Sequence, residues 1–272
     1  MADKRAIGVF DSGLGGLTVV KEIMRVLPNE NIVYFGDTGR VPYGTKSRET
    51  IIKYAKQDEN FLLSRDVKII VAACGTVSSV AYETAKSLPV EFVEVVSHSV
   101  RSALRATKNQ KIGILATAAT IKSSAHKKQI LQEMPSAQVV EVAGTLLVSL
   151  VEEGWTDPDD TVTRETVRRY LKPMIDAGVD TVILGCTHFP LLQETVQTVM
   201  GEGVSIINMA ISTADYVSAA LKRDDALTPS CECGGAKFFV SDKPVTFQKT
   251  ASALLGQDIN EDEICTVDVS EL

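Results

Sequence analysis

Eight short apolar runs dominate this chain, and they do not alternate with polar residues. They are AIGVF (6–10), NIVYF (31–35), VKIIVAA (67–73), VEVV (93–96), KIGILA (111–116), AQVVEVA (137–143), DTVILG (180–185) and VSIIN (204–208). Most are rich in Val and Ile. Strands covered on one face alternate apolar with polar, whereas strands buried on both faces of a parallel sheet read as continuous apolar runs. Between the runs lie helical spacings. Leu17, Val20, Ile23, Met24 and Leu27 follow the i, i+3, i+4 rule, as do Val77, Val80, Ala81 and Leu88 with one gap. Strand–helix alternation of this kind predicts an α/β fold with helices on both faces of parallel sheets. The polar stretch 152–162 leads into a helix predicted over 163–176. The acidic DINEDEIC tail is expected on the surface.

A weak internal repeat organises these elements. IGVFDSG (7–13) resembles IGILATA (112–118), each reading as a strand, a small polar residue and a helix start. In each half a later strand ends on a cysteine, Cys74 after IIVAA and Cys186 after TVILG. The pattern predicts two related α/β halves facing each other across a cleft, although buried strands also resemble one another by chance. The expected division is 1–97 plus 208–272 for the first half and 98–207 for the second.

The chain has 272 residues and a net charge of −7. That balance argues against a nucleic-acid or anionic-membrane surface. No apolar run approaches the roughly 18 residues of a membrane span. The opening MADKRAIGVFDSG lacks the apolar stretch of a signal peptide. A cytoplasmic protein with reduced thiols is therefore expected. The chain contains no GxxxxGK[ST] loop, and GLGGLT (13–18) departs from GxGxxG because Thr18 takes the place of the last glycine. Cys231, Cys233 and Cys265 lack zinc-site spacing and read as incidental thiols. No metal or organic cofactor is called for.

In open α/β sheets, ligands bind at the carboxyl ends of strands. Asp11, Ser12, Asp37, Cys74, Thr117 and Cys186 all fall there. Each cysteine precedes a predicted helix, whose N-terminal field lowers a thiol pKa. A lone free cysteine is usually a small apolar filler, but two at matching places point to chemistry. Asp11 is either a helix cap or a proton acceptor. His188, two residues beyond Cys186, is either structural or that thiol's proton acceptor. Ser12, Thr76, Thr117, Thr120, Thr187 and the backbone around Tyr43 and Gly44 supply donors able to hold a carboxylate.

Five ordered motifs, GVFDSGLGGLTVVKEI (8–23), YFGDTGRVPYG (34–44), ACGTVSS (73–79), TAATIKS (117–123) and LGCTHFPLL (184–192), together resemble the glutamate racemases. FFVSDKPVTFQKTASALLG (238–256) resembles that family's C-terminal segment. The resemblance implies two pseudosymmetric, doubly wound α/β domains with mainly parallel sheets and an active site between them. It implies that Cys74 and Cys186 are the two acid/bases, with Asp11 and His188 as their polar partners. Ser12, Tyr43, Gly44, Gly75, Thr76, Thr117, Thr120, Thr187 and His188 then lie at substrate-contacting positions. The implied reaction is cofactor-independent interconversion of L- and D-glutamate for peptidoglycan synthesis, in a homodimer. A racemase of another acidic amino acid, such as aspartate, is the alternative. A two-lobed small-molecule binding module is a different class of reading, opposed by the matched thiols.

The chain departs from the family pattern at several points. Gly75 replaces the usual asparagine after the first cysteine, so restoring it (Gly75→Asn) is expected to lower KM. A water or neighbouring side chain is expected in the space left at Gly75. His98-Ser99, His126, Gly144-Thr145 and Asn208-Met209 are further departures.

Overall fold

The eight apolar runs become eight strands, and two more follow them. A computed structural model describes residues 3–80, 85, 87–229, 234–243, 247–260 and 263–269. Strands β1 (Ile7–Asp11), β2 (Ile32–Gly36), β3 (Ile69–Ala72) and β4 (Glu91–Glu94) form one sheet with β9 (Ala236–Val240) and β10 (Ile264–Thr266), in the order β10-β9-β2-β1-β3-β4. Strands β5 (Lys111–Ala116), β6 (Gln138–Ala143), β7 (Thr181–Gly185) and β8 (Ser205–Asn208) form a second, in the order β6-β5-β7-β8. Every pairing in both is parallel. β1, β2, β3 and β7 are buried along their whole length, which is why they carry unbroken apolar runs.

The two sheets share one topology. In each, the first strand of the half lies in the middle, the second on one side, and the third and fourth on the other. β1 corresponds to β5, β3 to β7 and β4 to β8. In each sheet the connections switch side between the first and third strands, the place where open α/β sheets bind ligands. Cys74 follows β3 and Cys186 follows β7, so the thiols occupy equivalent switch points.

Helices cover both sheets. They include α1 (Leu17–Val26), α2 (Arg48–Leu63), α3 (Gly75–Val80), α4 (Val95–Ala106), α5 (Ala118–Ser123), α6 (Ala125–Glu133), α7 (Thr145–Glu152), α8 (Thr161–Ala177), α9 (Gln193–Met200), α10 (Met209–Arg223) and α11 (Phe247–Leu255). On the first sheet, Leu17, Val20 and Ile23 of α1 pack with Ala214 and Val217 of α10 over Val9, Tyr34 and Val71. The opposite face buries Phe10, Phe35, Ile51, Phe61 and Ile70. The second sheet has its own two layers, around Leu115, Leu171 and Leu184 on one face and Ile112, Ile114 and Ile183 on the other.

Two local expectations are corrected. The VEVV run ends as a strand at Glu94, because the Glu94 carboxylate accepts from Val96 N (2.6 Å) and Ser97 N (2.9 Å) and so starts α4 two residues early. The acidic tail is not purely surface: Ile259 and Ile264 are buried, and β10 pairs with β9. The helix expected to run on past Val80 includes Ala81, which lies outside the described residues, as do Cys231 and Cys233. Cys265 is exposed.

Candidate active site

The chemistry gathers where the two halves meet. Cys74 is 4% exposed and Cys186 5%. Cys74 Sγ donates to Ser12 Oγ at 3.4 Å. Cys186 Sγ lies 3.7 Å from His188 Nδ1, and His188 Nε2 is 3.2 Å from Glu152 Oε1 at the end of α7. Each thiol therefore has its own polar neighbour, but the neighbours differ: a hydroxyl beside a buried aspartate for one, and a histidine–glutamate pair for the other.

Burial, and after it the Asp11 carboxylate, push the Cys74 thiol up to about 12, against the pull of Ser12 and the Val77 amide. The expected lowering by a helix N-terminus does not hold here: desolvation and a neighbouring negative charge outweigh the field of a helix only six residues long. Asp11 is itself raised above the usual carboxylate range by burial, with His188 and nearby amides pulling it back. For His188, burial pulls down, but hydrogen bonding to Cys186 and Glu152 outweighs it and lifts the imidazole to about 10.

Asp11 is not the side-chain cap of α1. The cap position belongs to Gly16, while Asp11 Oδ2 accepts from Gly13 N at 3.0 Å. Its Oδ1 is buried with no hydrogen-bond partner among the described residues. An ionisable oxygen left bare at a strand end is a ready acceptor for an ammonium group.

Three of the contacts between the halves bear on the site. Thr18 Oγ1 donates to Thr187 O at 3.0 Å. Thr76 and Thr117 Oγ1 atoms lie 3.1 Å apart, and Thr117 Oγ1 is 3.0 Å from Thr120 Oγ1, so a row of hydroxyls crosses from one half to the other. Thr117 also caps α5 through Thr120 N. Gly15 fits because any Cβ there would strike Thr187 Oγ1 and the His188 ring.

The third contact is at Gly75. A Cβ there would stand 2.6 Å from the Gly185 carbonyl oxygen and 3.7 Å from Met209 Cε. The space expected to be left by the missing asparagine is thus taken by the backbone before Cys186 and by Met209. That overturns the expectation that Gly75→Asn lowers KM, since any side chain at 75 must first part the halves.

The remaining positions are placed as follows. Gly44 lies beside Thr117, where an added Cβ would sit 3.5 Å from Thr117 Cβ. The Tyr43 hydroxyl turns away from that contact, to Asp37 and Asp58. His126 is buried under Gly185 with Nε2 unpartnered among the described residues, and burial lowers its pKa to about 4. His98 stacks on Tyr216 at 3.9 Å. Gly144 precedes α7, and Asn208 caps α10 through Ala210 N. Sequence reasoning missed Glu152, which no spacing connects to His188, and the cluster of Arg40 and Asp58 around Tyr43.

Two parallel-sheet halves with a thiol at each switch point define the class of α/β protein to which this chain belongs. The family model for the Asp/Glu/Hydantoin racemases matches residues 7–217. A glutamate racemase of Geobacter metallireducens is 43% identical over 258 residues, covering 94% of this chain and 95% of that protein. Among solved structures, a Bacillus anthracis glutamate racemase isoform superposes with a TM-score of 0.91 at 33% identity, covering 97% of each chain. A Francisella tularensis glutamate racemase in complex with D-glutamate does so at 0.91 and 34% identity, covering 99% of this chain and 100% of that one. A Pyrococcus horikoshii aspartate racemase homologue, 17% identical with a TM-score of 0.60, shares the fold alone. This chain belongs to the Asp/Glu/Hydantoin racemase family.

Proposed function

We propose that the protein racemises glutamate without a metal or organic cofactor, supplying D-glutamate for peptidoglycan from the cytoplasm. The observation that carries this reading is the pair of buried thiols at equivalent strand ends, each with its own polar partner. Inverting a carbon centre by proton transfer needs one group on each face. From L-glutamate, Cys186 as thiolate takes the Cα proton, and the electron pair of that bond delocalises into the substrate carboxylate. Cys74, as thiol, returns a proton to the opposite face, leaving D-glutamate. The reverse reaction exchanges the roles. His188 exchanges a proton with Cys186, and Ser12 and Asp11 serve Cys74. The bare Asp11 Oδ1 takes the substrate ammonium, and the hydroxyls of Thr76, Thr117 and Thr187 hold its carboxylates, stabilising the carbanion as fixed donors do.

Glutamate is favoured over aspartate because the relatives that cover nearly the whole chain at more than 40% identity are glutamate racemases. The test offers L- and D-glutamate and both aspartates in deuterated water with no added cofactor. Polarimetry should show glutamate reaching a racemic mixture, and proton NMR should show its Cα–H exchanging. Activity lost with a chelator and regained with a metal, or aspartate turned over in preference to glutamate, overturns the reading.

A further inference from the structure

The segment between β2 and α2 is held by a buried polar cluster that the reaction itself does not use. Asp37 and Asp58 have no exposed side-chain surface, and Tyr43 is 1% exposed. Arg40 Nε lies 2.6 Å from Asp37 Oδ2, its Nη2 lies 3.2 Å from Asp58 Oδ1, and its Nη1 donates to Gln57 Oε1 at 2.6 Å. The guanidinium also lies 4.0 Å over the Tyr54 ring, which packs 5.4 Å from the Tyr43 ring. The Tyr43 hydroxyl touches both carboxyls, Asp37 Oδ2 and, at 3.1 Å, Asp58 Oδ2.

A phenol has one hydrogen to donate. Placed between two carboxyl oxygens, it satisfies both only if one carboxyl carries a hydrogen and donates back. The Arg40 guanidinium lies nearer Asp37 Oδ2 (2.6 Å) than Asp58 Oδ1 (3.2 Å), so its charge compensates Asp37 better and leaves the hydrogen on Asp58. The charge count agrees. Two ionised carboxylates against one guanidinium would leave a net buried negative charge, whereas one proton on Asp58 brings these three groups to neutrality, with the buried Glu59 beside them also favouring that proton. Burial, followed by the charge of Asp37, also raises Asp58 well above the usual carboxylate range, with Arg40 and Tyr43 opposing and the neighbouring Glu59 adding to the rise.

Tyr43 opens the single turn Tyr43–Thr45, closed by Lys46 N donating to Tyr43 O at 3.0 Å. Gly44, its middle residue, rests against Thr117, which joins Thr76 and so stands one step from the Cys74–Gly75 corner. Asp58, in the later turns of α2, thereby reaches back beneath the turn that leads into its own helix.

We propose that Asp58, carrying a proton, is a positioning residue: through the Tyr43 hydroxyl it fixes the Tyr43–Thr45 turn against the Thr117–Thr76 hydroxyl row where substrate is held. The kinetic part of this inference rests on the glutamate reading; the structural part does not. Asp58→Asn keeps an N–H donor for the phenol and a carbonyl for Arg40, so it stands in for the protonated acid. Asp58→Ala removes both. In Asp58→Ala, KM for both glutamate enantiomers should rise about tenfold with kcat within about twofold, and amide hydrogen exchange across 41–46 should quicken. In Asp58→Asn, both KM and exchange should stay near wild type. Tyr43→Phe, which leaves α2 untouched, should quicken the same amides and serves if Asp58→Ala fails to fold. Wild-type exchange in both Asp58→Ala and Tyr43→Phe, or a correctly melting Asp58→Asn as impaired as Asp58→Ala, overturns the proposal. Absence of glutamate turnover in the wild type would refute the functional reading instead, and leave the exchange experiment standing.

Discussion

Gly75→Ala adds one methyl group at a point where the backbones of the two halves come close. Its Cβ would lie 2.6 Å from the Gly185 carbonyl oxygen, about 0.8 Å inside the 3.4 Å at which ordinary contact begins. The obstacle is backbone, and Gly185 ends β7, a strand buried along its length, so it cannot swing aside as a side-chain tip would. Relief must come from parting the halves or tilting α3. Either motion changes the relation of Cys74, one residue before, to Cys186, one residue after Gly185. Overpacking of this kind costs about 1–3 kcal/mol of stability. A misplacement approaching 1 Å between reacting groups costs up to about 100-fold in rate.

The expected result is a fall in kcat of about 10- to 100-fold in both directions, with a melting temperature lower by several degrees. Polarimetric initial rates from each enantiomer and a thermal melt read the two effects separately. Gly203→Ala is the control, because nothing lies within 4 Å of the added methyl. Gly75→Asn carries the same Cβ and should be no better. A Gly75→Ala enzyme with wild-type kcat and melting temperature would refute the argument, since the halves could then not be this close in the working state.

Two further outcomes follow from the titrating groups. In Cys186→Ser, which cannot racemise, Cys74 should still remove the Cα proton from the D-isomer of a β-chloro-glutamate, expelling chloride from Cβ. With its thiol held up to about 12, the thiolate fraction, and hence 2-oxo acid formation, should climb about tenfold per pH unit from 7 to 9. A flat profile there, or elimination from the L-isomer instead, would sink the assignment of Cys74 to the D face. Burial holds His126 at about 4 against its ordinary 6.5, so the unfolded chain takes up a proton first as pH falls from 6.5 to 4. The fold should lose about 3 kcal/mol across that window from this residue alone. His98, also lowered to about 4 by burial and Arg101, adds to the loss. Denaturant melts of His126→Leu should show a shallower acid decline than wild type; an identical decline would refute the account.

The sequence made β1, β2, β3, β5 and β7 legible because burial on both faces writes itself as apolar runs, and the less buried β4, β6 and β8 were legible by the Val and Ile of their runs. β9 and β10 escaped because each carries a single Val or Ile and is partly exposed. β9 begins with the partly buried Ala236 and exposed Lys237, and Cys265 and Thr266 of β10 face solvent. The thiols were legible by position, each closing an apolar run before a helical spacing. Their partners were legible at a strand end or beside a thiol: Asp11 closes β1 and Ser12 follows it, 62 residues before Cys74, and His188 lies two residues from Cys186. Glu152 reaches His188 from the end of another helix, and Asp58 reaches Tyr43 across a helix and a turn. Neither leaves a mark in spacing. The Gly75 contact is less legible still, because a family comparison reads the missing asparagine as lost binding, whereas the coordinates show the room already filled.

The two halves share a topology but arm their thiols differently, and the reaction tolerates this for a thermodynamic reason. Enantiomers in an achiral solvent have equal free energies, so racemisation has an equilibrium constant of one whatever the enzyme does. Unequal partners, a raised thiol beside Asp11 and Ser12 on one face and a thiol beside the His188–Glu152 pair on the other, therefore cannot favour one product. They also cannot separate the two values of kcat/KM, which the equilibrium ties together. What they can separate is kcat from KM in each direction, and which thiol holds the proton between turnovers. A two-thiol racemisation thus constrains the placing of two sulfurs on opposite faces while leaving their supporting residues free to differ. That is the pattern here: equivalent strand ends, equivalent cysteines and unrelated neighbours.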